Sequence, residues 1–215
     1  MTQYLQTSGD AVLAALQQHI VLALLPVVIG LAIALPLGYL AHRYRWLYLP
    51  LIGVGSTLYA VPSIALFVFL PVVLDTKILD PVNIVVALSI YTLALLMRTV
   101  VDGLTSVPLA VTQAATAVGY RRLGLLLGVE LPLAVPVILA GVRVATVSNV
   151  SLVSVGALLG VGGLGALFTD GLQRDYLAPI LVGIVLSLLH ALVLDTFIVG
   201  VQRILTPWVR AGDQR

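Results

Sequence analysis

The sequence predicts an all-α integral membrane protein, a polytopic bundle of about five transmembrane helices formed by one domain spanning residues 1–215. Three observations carry this. Of 215 residues, 60% are hydrophobic and 9% charged, where a soluble domain carries roughly 25% charged residues. Mean hydropathy is +1.14. Uncharged apolar stretches long enough to cross a bilayer recur along the chain, and basic residues near their ends segregate to one side. A soluble monomer of this composition could not cover its surface with polar groups. Disorder is excluded too, because disordered chains are polar and highly charged.

The spans are set by the charges that punctuate them. No residue between Asp10 and Arg43 is charged at neutral pH, and the apolar run from Ile20 to Leu40 predicts a first span near 20–41. Arg45 to Asp75 brackets a second, near 47–73. It contains Pro62, which removes a backbone donor and clashes with the preceding turn, so it is one kinked helix or two shorter pieces. Asp80 to Arg98 encloses 17 residues and predicts a third span near 82–101. Arg143 to Asp170 points to a fourth near 134–158, and the run after Arg174 and Asp175 to a fifth near 178–201. Gly103–Tyr120 also lacks charge, but its Thr, Ser, Pro and Gln content reads as amphipathic or interfacial.

Orientation follows from the basic residues. Arg43, Arg45, Arg98, Arg121, Arg122, Arg203, Arg210 and Arg215 fall on one side, against Lys77 and Arg174 on the other; Arg143 lies inside the fourth span. Eight against two makes the first side cytoplasmic, with the N-terminus outside and the C-terminus inside. A sixth crossing within 47–73 would break this segregation.

Other features exclude more than they assign. A net charge of +2 from 11 basic and 9 acidic residues is no footprint for nucleic acid. Without cysteine there is no disulfide, thiolate metal site or Cys nucleophile. The N-terminus lacks the basic region of a signal peptide, so the first apolar run reads as a retained helix. His19, His42 and His190 stand apart with no metal-ligand spacing. Gly160-Val-Gly162-Gly163-Leu-Gly165 matches G-x-G-x-x-G but follows a membrane span where a dinucleotide fingerprint needs a strand, so it reads as a flexible or tightly packed exit from span four. Gly156 and Gly160 form a G-x-x-x-G pair, a hint of close helix packing. No P-loop is present, so any energy input comes from a partner or a gradient.

The longest non-spanning stretch on the cytoplasmic side is 102–132. Its Ala-rich run at 111–118, Gly119, and a second run from Arg121 to Leu131 stopped by Pro132 predict two short helices around a glycine. Such a knob can dock into a groove on a soluble partner. Within it Gln113-Ala114-Ala115, then Gly119, then Val129, Glu130 and Leu131-Pro132 keep every spacing of the E-A-A loop of ABC importer permeases. Gln113 stands where the pattern has Glu, keeping length and hydrogen bonding but losing the charge that an ion pair to the ATPase would use, and Val129 stands for Ile. The runs 59–67, 130–143 and 158–165 resemble the permeases that import quaternary-amine osmolytes, and the likeness covers about residues 15–205.

The resemblance implies a type I ABC importer permease fold in the prokaryotic plasma (inner) membrane, multi-pass and surrounded by lipid. It implies two permeases, identical or homologous, two cytoplasmic ABC ATPases that bind ATP and Mg and dock on one loop each, and an extracytoplasmic substrate-binding protein. This chain would bind no cofactor or metal and carry no catalytic residue. Gln113, Ala114, Ala115, Gly119, Tyr120, Arg121, Arg122, Leu131 and Pro132 are the expected coupling residues. Gly119 would permit a tight turn where a side chain would clash, and Tyr120, Arg121 and Arg122 would reach the ATPase. The implied solutes are glycine betaine, carnitine, choline or proline betaine; amino acids such as methionine are the competing class. A stand-alone secondary carrier would instead use intramembrane charges in an ion-coupled site, and a scaffold would show no flux.

Pathway candidates come from polar residues in spans. Asp195 could pair with Arg143 across the bundle or line a cavity, unless span five begins later and leaves it less deep. Thr146, Ser148, Asn149, Ser151 and Ser154 cover more than one face of span four. Asn149 and Ser151 are the pathway choices among them, with helix–helix hydrogen bonding the alternative. Tyr59, Phe67 and Tyr91 could meet a quaternary ammonium through cation–π contact, although aromatics in spans more often pack or anchor. Arg98 and Asp102, spaced i, i+4, are expected to pair locally.

Overall fold

A computed structural model describes residues 2–208; Arg210 and Arg215, counted above for orientation, lie outside them. Among the described residues nine α-helices run in order: α1 Thr2–Arg43, α2 Arg45–Ala60, α3 Ser63–Leu74, α4 Pro81–Thr105, α5 Leu109–Ala117, α6 Arg122–Leu125, α7 Leu131–Gly156, α8 Gly165–Gln173 and α9 Leu177–Leu205. Among the described residues, four helical stretches are long and apolar enough to cross a membrane, and five if α2 and α3 count as one broken span.

Helix α4 is the hub. Half of its most apolar window is buried, against 33% or less in the other spans. Small residues let its neighbours approach, as in membrane bundles generally. On α1, a Cβ at Gly30 would stand 2.6 Å from Thr92 Cγ2 and one at Gly38 2.7 Å from Val100 Cβ, with fully buried Ala34 between them. On α7, Gly141 abuts Thr99 and Gly156 abuts Ile84. The α4 glycine Gly103 packs on Ala134 in return. These pairings fix directions. The end of α1 meets the end of α4, where His42 Nδ1 lies 3.2 Å from Thr105 Oγ1, so α1 and α4 run parallel. Helix α7 runs antiparallel to α4, its start beside Gly103 and its end beside Ile84.

Because α1 and α4 point the same way, α2 and α3 together must return the chain to the opposite face. They do so with a 103° bend. At about 24 and 18 Å, neither covers a ~30 Å hydrocarbon core alone. The bend sits at Val61 and Pro62, both extended in backbone. The Tyr91 hydroxyl donates a hydrogen bond to the Val61 carbonyl there, supplying the partner that irregular backbone at membrane depth requires.

The predicted boundaries need three corrections. Helix α1 does not begin near residue 20 but at Thr2, with non-helical backbone at Ser8. Apolar length alone places that boundary at Ile20. Gln18 and His19 turn into the protein, where the 161–164 loop bonds both polar atoms of the Gln18 amide and the Nδ1 of His19, leaving His19 Nε2 buried without a partner among the described residues. Pro132 does not stop the second loop helix: α6 continues through a π-turn at Leu126–Glu130 into α7. The Leu131 N–H reaches the Leu126 carbonyl, and this widened turn relieves the proline's clash with the preceding turn. The fourth span is thus one run over Arg122–Leu159. Gly160 is not part of a helix-packing stripe; with φ +84° it ends the turn after α7.

Candidate functional site: an exposed coupling loop and a polar crevice

Helix α5 has no buried residue. Leu109 at its start is 70% exposed and Val118 just after its end 83%, and Leu123 follows at 69%. It stands on the face where α1 and α4 end. Its own end is locally determined: the Tyr120 N–H bonds to the Ala115 carbonyl and the Gly119 N–H to the Thr116 carbonyl. This is the double closure of a Schellman motif, which needs a left-handed residue after the helix. Gly119 supplies it with φ +99°. The expected reason for this glycine therefore changes. Nothing lies within 4 Å of where its Cβ would stand, so backbone conformation, not crowding, requires it.

The coupling candidates divide by position. Ala114 is exposed on α5 and Ala115 is half-buried; Arg121 is exposed at the start of α6. Tyr120, expected to reach outward, folds its ring back onto Gly124 and Gly128, where Cβ atoms would lie 3.7 and 3.3 Å from it, although the residue keeps 47% exposure. Gln113 and Arg122 line a crevice of about 490 Å³ against Tyr39, His42, Arg43 and Glu130. Leu131 packs on the core cluster around Leu96, Val100 and Ala134, one residue before Pro132 at the start of α7.

The pathway candidates also divide. Tyr59, Tyr91 and Asn149 come together with Thr92 and Ser148 around a small recess. The Tyr59 and Tyr91 rings meet edge to face at 5.7 Å. Asn149 Nδ2 donates to Thr92 Oγ1 at 3.0 Å and to the Ala23 carbonyl at 3.3 Å, which binds α7 to α4 and α1. The recess holds only about 10 Å³, room for a water at most. Ser151, two residues along α7 from Asn149, is exposed on another face. Phe67 is 1% exposed in the core, so its ring is closed to solute. Asp195 takes Arg143 as a bidentate partner at 2.6 and 2.9 Å, joining α7 to α9.

One sequence expectation fails here. Arg98 and Asp102 do not pair. Both are exposed without an ion pair or side-chain hydrogen bond among the described residues, and a basic residue placed before an acidic one is the weaker i, i+4 order. They instead line a crevice of about 320 Å³ between α2 and α4, with Ser56, Tyr59 and Thr99. His19 and His190, far apart in sequence, meet with ring centroids 5.5 Å apart. His19 Nδ1 accepts the Leu164 N–H, while Gln18 accepts the Gly163 N–H and donates to the Val161 carbonyl. Two polar residues of α1 thus hold the glycine-rich loop after α7. Only the oddity of Gln-Gln-His beside an apolar run hinted at this.

Comparison with known proteins agrees with this architecture. The chain is 34% identical over 193 residues to the osmoprotectant import permease protein OsmW of Salmonella typhimurium, covering 88% of this chain and 89% of that one. It is 31% identical over 215 residues to the choline transport system permease protein OpuBB of Bacillus subtilis, covering 100% and 96%. The glycine betaine/carnitine/choline transport system permease protein OpuCD of Bacillus subtilis is 29% identical over 205 residues, with 95% and 88% covered. Among solved structures, an inward-facing MetNI methionine ABC transporter chain superposes with a TM-score of 0.72 at 20% identity, covering 88% of this chain and 94% of that one; at that identity the likeness concerns the fold. The model of the binding-protein-dependent transport system inner membrane component family matches residues 20–211, and with an exposed loop helix on a bundle of membrane-length helices the chain belongs to that family.

Proposed function

We propose that this chain is the translocating subunit of an ATP-driven importer of quaternary-amine osmolytes such as glycine betaine, carnitine, choline or proline betaine. The observation that carries the reading is the exposed α5 knob closed by Gly119, in a chain whose relatives are named for osmoprotectant and choline transport. Those names favour osmolytes over amino acids. A cytoplasmic ATPase, which binds ATP and Mg, docks on α5 through Ala114, Ala115, Val118 and Arg121, so the α5 face is cytoplasmic and the N-terminus external. The domain 1–215 carries this coupling loop at 102–132, in the plasma membrane of a prokaryote. Two permeases, identical or homologous, enclose the pathway between them, and an extracytoplasmic binding protein delivers the solute.

Mechanically, ATP-driven closure of the ATPases pushes α5. The turn at Gly119 hands that push to α6, and the unbroken run from α6 into α7 carries it into the span. Tyr59, Tyr91 and Asn149 stand at the closed recess that the movement would open. Ser151 and Asp195 have weaker claims, the first for its different face and the second for its partner Arg143. The test is co-purification with the ATPase encoded beside the gene, wild type against Gly119→Trp. Retention by wild type and loss by a folded variant is expected. A wild type that never binds an ATPase refutes the proposal and leaves gradient-driven uptake as the alternative.

A further inference from the structure

The crevice between α2 and α4 is unusual for what it leaves unpaired. Arg143 and Asp195 neutralise each other between α7 and α9, whereas Arg98 and Asp102 sit one turn apart on α4 with no protein partner among the described residues. Arg98 lies seven residues before the end of α4, about 10 Å inside it. Ionisable side chains carried by a membrane-length helix without a partner commonly line solute paths. The crevice holds about 320 Å³, at the small end of ligand sites. Ser56 and Thr99 add hydroxyls, and the Tyr59 ring forms a wall shared with the closed recess beside Tyr91 and Asn149.

We infer that Arg98 and Asp102 form a binding station for a zwitterion, a betaine whose carboxylate lies on Arg98 and whose quaternary ammonium lies between Asp102 and the Tyr59 ring. This rests on the quaternary-amine reading above and narrows it to betaines. A guanidinium matches a carboxylate with two parallel N–H bonds. A quaternary ammonium has no N–H to donate, so a carboxylate charge and an aromatic face are the groups that hold it. Residues i and i+4 lie about 5–6 Å apart at Cβ, so both ends of one small zwitterion can be served at once. Choline keeps the ammonium but has a hydroxyl in place of the carboxylate, so it leaves Arg98 uncompensated. Tyr59 places the station directly on the inner side of the recess, where solute arrives after the recess opens.

The test is uptake into proteoliposomes by the complete complex with ATP inside and binding protein saturating outside. Because the binding protein is constant, differences among variants report the permease. R98Q is expected to lower glycine betaine uptake about ten-fold, the scale of a lost charge-assisted pair, while R98K retains most of it. Choline uptake should fall less than about two-fold in R98Q but about ten-fold in D102N, since only the ammonium partner is shared. The exchanged variant R98D/D102R should not recover. Unchanged glycine betaine uptake in R98Q, or equal losses for both solutes, overturns the inference. Recovery by the exchanged variant also overturns it, because Arg98 and Asp102 would then pair across two permease copies. A wild type that carries choline alone overturns the inference but not the osmolyte reading; one that carries neither solute overturns both. If wild type carries glycine betaine alone, the R98Q, R98K and exchanged variants decide. Each complex is checked by size exclusion, so that loss of assembly is not read as loss of binding.

Discussion

Replacing Gly30 and Gly38 with alanine should push α1 off α4, and the cost can be worked from the packing. The new methyl carbons would stand 2.6 Å from Thr92 Cγ2 and 2.7 Å from Val100 Cβ and Cγ1. Carbon atoms rest about 3.5–4.0 Å apart, so each contact demands roughly 1 Å of movement. Neither neighbour can swing away: Thr92 is 2% exposed and Val100 1%. Overpacking of this kind costs about 1–3 kcal/mol. The two sites lie eight residues apart on one face of α1, about 12 Å, with Ala34 fully buried between them. Once the helices separate for one methyl, the second needs little more, so the double variant should cost less than the sum of the singles. The assay is resistance to SDS or thermal unfolding in detergent. The controls are Gly53→Ala and Gly200→Ala, helical glycines with nothing within 4 Å of an added Cβ, where alanine should be neutral or stabilise by up to about 1 kcal/mol. If Gly30→Ala and Gly38→Ala resist unfolding as well as those controls, the close α1–α4 approach is not what holds the bundle together.

Gly119→Ala should leave the bundle folded, because no atom is met, yet cost about 1–2 kcal/mol at the α5 terminus from a left-handed residue; amide exchange confined to α5 would check it. Gln18→Glu keeps an acceptor for the Gly163 N–H but loses the donor to Val161. It should raise exchange in the 161–164 loop by about the worth of one hydrogen bond, 0.5–1.5 kcal/mol, and unchanged protection would refute the clamp. Tyr91→Phe strips the bend at Val61 of its hydroxyl donor and should lower the unfolding midpoint in detergent, whereas an unchanged midpoint would mean another group replaces it. Charge reversal at Arg143 or Asp195 alone should reduce transport, and the exchanged pair should recover part of it, because the two groups face each other across α7 and α9.

Much of the molecule was legible in residue order because a bilayer imposes a one-dimensional rule. Apolar length bounded by charge locates a crossing, and the five spans follow from Asp10, Arg43, Asp75, Asp80, Arg174 and their neighbours. The loop was legible for a local reason as well: a Schellman closure depends on a few consecutive residues, and Gly119 declares it. Arg143 and Asp195 could be named as possible partners because a charge in a span seeks one. The errors share one origin. Apolar length alone starts the first span at Ile20 because it does not show that Gln18 and His19 find partners inside the protein. Pro132 looked like a stop because its missing N–H says nothing about the wider turn that accommodates it.

What the sequence alone determined was the class, about five membrane-length segments, a loop closed by Gly119 and the family, all set by composition, local backbone preference and motif spacing. Tertiary structure decided what spacing cannot carry: that Gln18 and His19 grip a loop some 145 residues away, that α2 and α3 part by 103°, and that Tyr59 and Tyr91 share a recess with Asn149 while Ser151 does not. It also decided that Arg98 and Asp102 face a crevice and not each other. The physical reason is that a polar side chain in a span must find a partner, and which partner it finds depends on how the helices lie against one another in space.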